Sequence, residues 1–303
     1  MSADRTTSTV DVDGRRLQLS NLDKVLYPET GFTKADVIAY YSRIAPVLLP
    51  HLRDRPLTMR RCPDGVDGES FYEKNAPRGT PDWVRTVAVP RSEKGGGSID
   101  YVVLDEPAAL VWAANLAALE LHVPMWRWRR KGEYGPVDLM VFDLDPGAPS
   151  DLVDCCRVGQ WLRDALADDG LDAYPKTSGA KGLQLYVPLR PARPWPDVRD
   201  DAHDLARRIE ADHPRHVVSN MRRDLRNGKV LIDWSQNHGA KTTVAPYSLR
   251  ARPHPTASTP VTWDEVAACV ESGRPEELVF EATDVVERLD DVGRFEDQLL
   301  RAA

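Results

Sequence analysis

The sequence predicts an α+β fold, and three observations carry that reading. Segments with period-two alternation recur, among them TVDVDGRRLQLS, GSIDYVVLDE, LQLYVPL and KVLIDWS, as half-buried strands require. Segments with helical spacing fall among them, notably TKADVIAYYSRIAPVLLPHL and TWDEVAACVES. The two kinds do not alternate strictly, which disfavours a doubly wound parallel sheet and favours mixed or antiparallel sheets with flanking helices.

TVDVDGRRLQLS turns at Asp13-Gly14 and reads as a hairpin. In the next segment Thr33 and Asp36 form a capping box ahead of helically spaced apolar residues. RPLTMRRCPDG reads as a strand and a turn, SEKGGGS as a flexible loop, and GSIDYVVLDE as another strand. The apolar run PAALVWAANLAALELHVPMW, from Pro107, reads as a buried core helix. Ser150 is placed to cap a helix running to about Ala167. Strands AYPKT and LQLYVPL follow, then a helix from about Asp197 to Ala211, the strand KVLIDWS and a helix after Thr262. RARPHPTASTP reads as a surface excursion.

The 303 residues suit one large domain or two modest ones, and no linker or internal repeat divides them. Hydrophobic residues make up 42% and charged residues 29%, as in a soluble globular protein. The net charge of −7 weighs mildly against a nucleic-acid binder but does not exclude one, because local patches matter more than the total. Cys62, Cys155, Cys156 and Cys269 form no C-x-x-C pair, so reduced thiols in a cytosolic protein are expected. The N-terminus is polar, and the apolar run contains Asn115, Glu120 and His122. It falls short of the ~20 apolar residues of a membrane span.

The segment VDLMVFDLDPG ends an apolar strand with Asp143 and Asp145. Two residues apart on a strand means one face, so two carboxylates stand side by side. They repel unless a cation lies between them, and hard divalent ions take carboxylate oxygens. Alone, the pattern also fits a solvated strand end. Asp233, in KVLIDWSQN, ends another apolar strand and is a candidate third carboxylate. Paired metals on such a set activate an attacking oxygen and stabilise a leaving one. In KTSGAKGLQLYVPL two glycines, Ser178 and Lys181 lie between strands. Such a loop either cradles phosphates or is a plain glycine turn with an exposed lysine; the P-loop spacing is absent.

D-L-D, S-G-x-K-G and I-D-W-S-Q-N in this order resemble the archaeo-eukaryotic primase superfamily, and more closely the polymerase domain of bacterial ligase D. NLDKVLYPETGFTKADVIAYYSRIAPVLLPHL, FYEKNAPRGTPDWV, LAALELHVPMWRW and KTTVAPYSLRARP extend the resemblance over nearly the whole chain. It implies one catalytic domain over residues 1–303, with sheets around a central cleft. It implies that Asp143, Asp145 and Asp233 bind two divalent ions, Mn²⁺ or Mg²⁺, and carry catalysis. His122, Ser178, Lys181, Gln236, Arg250 and Arg61 are expected to hold the incoming nucleotide. Lys24 and Lys34 match a pocket for a downstream 5′-phosphate, and Phe71, with Tyr72 beside it, matches a template-stacking ring. Arg60 and Lys74 add to a local basic face.

The implied function is a templated repair polymerase of non-homologous end joining that fills gaps and extends 3′ ends, with a preference for ribonucleotides. DNA with 5′-phosphorylated gaps or ends, NTPs or dNTPs, Ku and a DNA ligase are the expected partners, in the cytoplasm with the nucleoid. One departure stands out: the family places histidine where this chain has Gln184, and His238 follows SQN. Glutamine hydrogen-bonds but carries no charge. The rival reading is therefore an end-binding module with weakened catalysis. A metal-dependent phosphoesterase would explain the acids alone.

Overall fold

The computed structural model describes residues 7–91, 96–130 and 133–292, together with 295 and 299. The first six residues and residues 92–95 of the glycine-rich loop lie outside the described residues.

Two sheets form the framework. A five-stranded sheet runs in the order Tyr174–Thr177, Leu183–Arg193, Val137–Pro146, Val230–Asp233 and Val217–Val218. Its neighbours are antiparallel except the last pair. A four-stranded antiparallel sheet runs Thr243–Val244, Ala118–Val123, Thr58–Arg61 and Phe71–Glu73. Three two-stranded ribbons and six helices complete the described residues. This is the mixed α+β arrangement the sequence predicts.

Alternation along the middle strand sorts the large sheet into two faces. Leu144, with Leu183 and Leu185 of the neighbouring strand, faces the helix Leu152–Asp168. There Gly159 lets the helix approach: a Cβ on it would lie 2.9 Å from Leu183. The opposite face carries Asp143, Gln184 and Tyr186. Gln184 reaches Thr243, and the Tyr186 hydroxyl donates to Val244 O, so this face meets the four-stranded sheet. The period of two puts Asp143, Gln184 and Tyr186 on that one face.

Most predicted elements form close to their expected bounds. The hairpin pairs Thr7–Val12 with Arg15–Ser20, with Asp13 and Gly14 both at positive φ. Thr33 and Asp36 close the capping box of the helix Lys34–Leu52. The helix before residue 168 starts one residue late, because Asp151 rather than Ser150 accepts from Val153 N and Asp154 N.

Two expectations are corrected. The helix from Pro107 ends at Asn115 instead of running through the apolar segment. The chain reverses at Ala117 (φ +56°), and Ala118–Val123 becomes a strand between Thr58–Arg61 and Thr243–Val244. Two waiting partners outweigh local helix propensity, because a buried strand finds all its backbone hydrogen bonds there. RARPHPTASTP is a surface excursion only as far as His254. Ala257, Ser258 and Thr259 are buried, and Thr259 O accepts from Thr177 N.

All four cysteines are buried free thiols. Among the described residues no helix is long and apolar enough to cross a membrane.

Candidate active site

Asp143 lies opposite Asp233 across the middle strand pair, with Asp145 two residues further along. Burial is the main cause pushing the Asp143 carboxyl up, to about 7; the charges of Asp145 and Asp233 add to it, against a hydrogen bond from Gln184. Asp145 is raised too, by burial and then by Asp233, with Arg226 and Arg250 opposing. Asp233 is turned into its own capping turn. Its Oδ1 accepts from Ser235 N (2.9 Å) and Oγ (2.6 Å), and its Oδ2 from Gln236 Nε2 (2.9 Å). Among the described residues no three His, Cys, Asp or Glu side chains are already gathered to hold a metal ion. The donor set still suits a hard cation: all oxygen, on facing strand positions, with two carboxyls raised by burial and mutual repulsion.

Gln184 is only 3% exposed and lies against these acids. Its Nε2 donates to Asp143 Oδ1 (3.0 Å) and Thr243 Oγ1 (2.9 Å). Its Oε1 accepts from Lys176 Nζ, which also donates to Ser258 Oγ. Lys176 is wholly buried, and its ammonium lies 5.2 Å from the centre of the Tyr186 ring. Burial holds its pKa well below the lysine range, with Asp143 opposing.

The loop after Thr177 packs tightly on the acid strand. A Cβ on Gly182 would lie 2.2 Å from Leu144 O, so only glycine fits. The loop folds around its own serine: Ser178 Oγ accepts from Ala180 N (3.2 Å) and Gly182 N (3.1 Å). Those two N–H groups are thus turned onto the loop's own serine, as in the plain glycine turn that the sequence left open beside a phosphate cradle. Lys181 is exposed at the loop tip. Arg250 reaches in from the other side and donates to Ser178 O.

A buried carboxylate organises the opposite wall. Glu120 has no exposed side-chain surface, yet it accepts from Arg60 (2.8 Å), His122 Nε2 (2.8 Å) and Ala251 N (3.0 Å). Arg250 Nε lies 3.3 Å away, poorly aligned for a hydrogen bond. Burial opposes ionisation, but the His122 hydrogen bond and the Arg250 charge outweigh it and hold Glu120 well below the carboxylate range. His122 is pushed down by burial, with Glu120 opposing. Sequence reasoning did not single out Glu120, Lys176 or Thr243. The signal for Glu120 was a lone acid inside the apolar alternation LELHV.

The remaining candidates divide. Phe71 and Tyr72 are exposed on the edge strand, 44% and 59%, rather than core. Tyr72 meets the His122 ring edge-on at 5.6 Å. Arg61 is held by Glu73 (2.7 Å) and Leu116 O (2.9 Å), with its guanidinium over Phe71. Lys24 and Lys34 come together across a short ribbon, where Lys34 N donates to Lys24 O. Lys24 Nζ pairs with Asp64 (2.6 Å), while Lys34 is buried with its Nζ on Ser20 O (2.7 Å). Lys74 is exposed. His238 packs against Trp195.

The sequence and the fold are similar to those of known proteins. Residues 33–295 match the family described as LigD, primase-polymerase domain. The chain is 42% identical over 278 residues to a multifunctional non-homologous end joining protein LigD of Mycolicibacterium smegmatis, covering 92% of this chain and 35% of that protein. It is 33% identical over 254 residues to a bifunctional non-homologous end joining protein LigD of Bacillus subtilis, covering 83% of this chain and 39% of that one. The chain thus spans little more than a third of these relatives. A solved structure, the polymerase domain from Mycobacterium tuberculosis Ligase D in complex with DNA, superposes with a TM-score of 0.86 at 41% identity, covering 94% of this chain and 98% of the other.

Proposed function

Because the chain belongs to the family of LigD primase-polymerase domains, and is thereby a nucleotidyltransferase of DNA repair, we propose that it adds templated nucleotides at gaps and broken DNA ends. The observation that carries this is the placing of Asp143 against Asp233 with Asp145 beside them, on the face of the large sheet that meets the four-stranded one. Asp143, Asp145 and Asp233 would hold divalent cations, Mn²⁺ or Mg²⁺. When bound, those ions favour the deprotonated primer 3′ oxygen and neutralise the departing pyrophosphate.

The chain's own groups divide the remaining work. Arg250 and exposed Lys181 bring cations from the loop side and suit a nucleotide triphosphate. Ser178 shapes that loop, and Gln236 steadies Asp233. His122, kept neutral by burial, offers a hydrogen bond rather than a charge. Phe71 and Tyr72 present open rings on which any template base stacks. Lys24 and Lys34 lie together where a downstream 5′-phosphate would be read. Arg61, held under Phe71, supports the stacking ring.

On this reading residues 1–303 act as one catalytic domain that prefers ribonucleotides and works beside the nucleoid with Ku and a DNA ligase. The similar domain solved with DNA supports the DNA substrate.

The test is nucleotide addition on a gapped duplex with Mn²⁺, with NTPs and dNTPs in parallel and with or without the 5′-phosphate. Templated addition that requires the phosphate and is lost in Asp143→Ala supports the polymerase. Phosphate-dependent DNA binding with no addition in any metal would instead make the chain an end-holding module.

A further inference from the structure

We infer that Gln184, backed by buried Lys176, is a positioning residue for the Asp143 carboxylate and not a contact for the incoming nucleotide. The inference rests on reading the three aspartates as a divalent-cation site.

The amide of Gln184 stands between the Lys176 amine and the Asp143 carboxyl. Its oxygen faces Lys176 Nζ and its nitrogen faces Asp143 Oδ1. The reversed amide would set its oxygen against the Asp143 oxygen and its N–H groups against the N–H groups of Lys176, so the neighbours fix its orientation. Both N–H groups are spent, one on Asp143 and one on Thr243. The side chain is 3% exposed. Nothing remains on it to donate to a triphosphate.

Lys176 is anchored in turn. Its other partner, Ser258 Oγ, donates to Thr177 O (2.7 Å), and no water-facing surface is left on the lysine. Asp143 is therefore linked to the anchored lysine through one amide. Such outer contacts orient a metal-binding carboxylate before the metal arrives. The bond to Thr243 adds a second task, because Thr243 belongs to the four-stranded sheet. Gln184 thus ties the two sheets together beside Asp143. A neutral imidazole here has one donor and one acceptor. It would bridge Lys176 and Asp143 but could not reach Thr243 as well. The glutamine is then a fuller strut, and not the mark of a lost catalyst.

The experiment is a titration of the purified chain with Mn²⁺ alone, followed by the electron paramagnetic resonance of the free ion, without nucleotide or DNA. It is paired with kcat and KM for a nucleotide on a gapped duplex. Gln184→Met keeps the side chain's length but loses its polar ends. It should weaken Mn²⁺ binding and lower kcat about 10- to 100-fold, with KM within about twofold, as loss of an outer-shell partner does. Gln184→His should recover most of both. Thr243→Val, which loses only the tie between sheets, provides a milder variant moving in the same direction, and melting curves confirm that each variant is folded. Wild-type Mn²⁺ binding left intact by Gln184→Met overturns the inference alone, as does a raised KM with unchanged kcat. A wild-type chain that binds no Mn²⁺ overturns the metal-site reading and the inference with it.

Discussion

Asp143 and Asp233 are direct cross-strand partners in the antiparallel pairing of Val137–Pro146 with Val230–Asp233. Like charges directly opposite destabilise a sheet, so the folded chain pays for this arrangement in the absence of a cation. Burial, with Asp145 and Asp233 adding to it, pushes the folded Asp143 carboxyl up to about 7, against about 3.9 in an unfolded chain. Between those values the folded state binds more protons, so stability falls as pH rises through that window. In chelator, Asp143→Asn should therefore gain melting temperature relative to wild type between pH 5 and pH 8, and Mn²⁺ should erase the gain. A wild-type-to-variant difference that stays flat with pH would contradict a carboxyl raised by burial and its acidic neighbours.

The same pair explains what the sequence makes legible. An acid that ends an apolar strand is conspicuous, and the period of two then places Asp145 beside Asp143 without any tertiary information. Glu120 shows the opposite case. One of its cations, Arg60, is 60 residues away, and Arg250 comes from the last quarter of the chain. Nothing local distinguishes it from an error in the apolar pattern. The segment from Pro107 fails for a related reason. Its composition suits a helix throughout, but the strands that claim Ala118–Val123 lie far off in sequence on either side. Gln184 is visible in the sequence as a departure. Its meaning depends on Lys176, Thr243 and Asp143 converging, which only the fold supplies.

Glu120→Ala should cost about 3–5 kcal/mol of stability, the range for removing one partner of a buried ion pair and leaving the others uncompensated. Arg60 and His122 lose their acceptor, and Arg250 loses the carboxylate beside it. Denaturant unfolding measures the loss. Because Arg250 also holds Ser178 O, the milder Glu120→Gln should raise the nucleotide KM more than it lowers stability. Unchanged KM in Glu120→Gln would detach this wall from nucleotide binding.

Phe71→Ala and Tyr72→Ala should leave the melting temperature nearly unchanged, since exposed positions shift stability by about 0.5 kcal/mol or less. Template binding should weaken by about 1–3 kcal/mol for each base that loses its ring. Fluorescence anisotropy with several template sequences reads this directly, and the loss should be similar for all of them. A loss confined to one base would point to edge recognition instead of stacking.

Lys24 and Lys34 should separate although they lie together. Lys24 is part-exposed and already holds exposed Asp64 at 2.6 Å, a pair worth about 1 kcal/mol or less to folding. Lys24→Ala should therefore fold normally and lose about 10-fold or more of the preference for a 5′-phosphorylated gap, the value of about one charge-assisted hydrogen bond. Asp64→Asn frees the ammonium from its competitor and should sharpen the same preference. Lys34 is buried with its Nζ on Ser20 O, so Lys34→Ala strips a carbonyl of its donor and should lower stability as well as phosphate discrimination. Gap binding with and without the phosphate, set beside the melting temperature of each variant, resolves the two roles. If Asp64→Asn left the phosphate preference unchanged, Lys24 would be a surface ion pair and no part of a phosphate pocket.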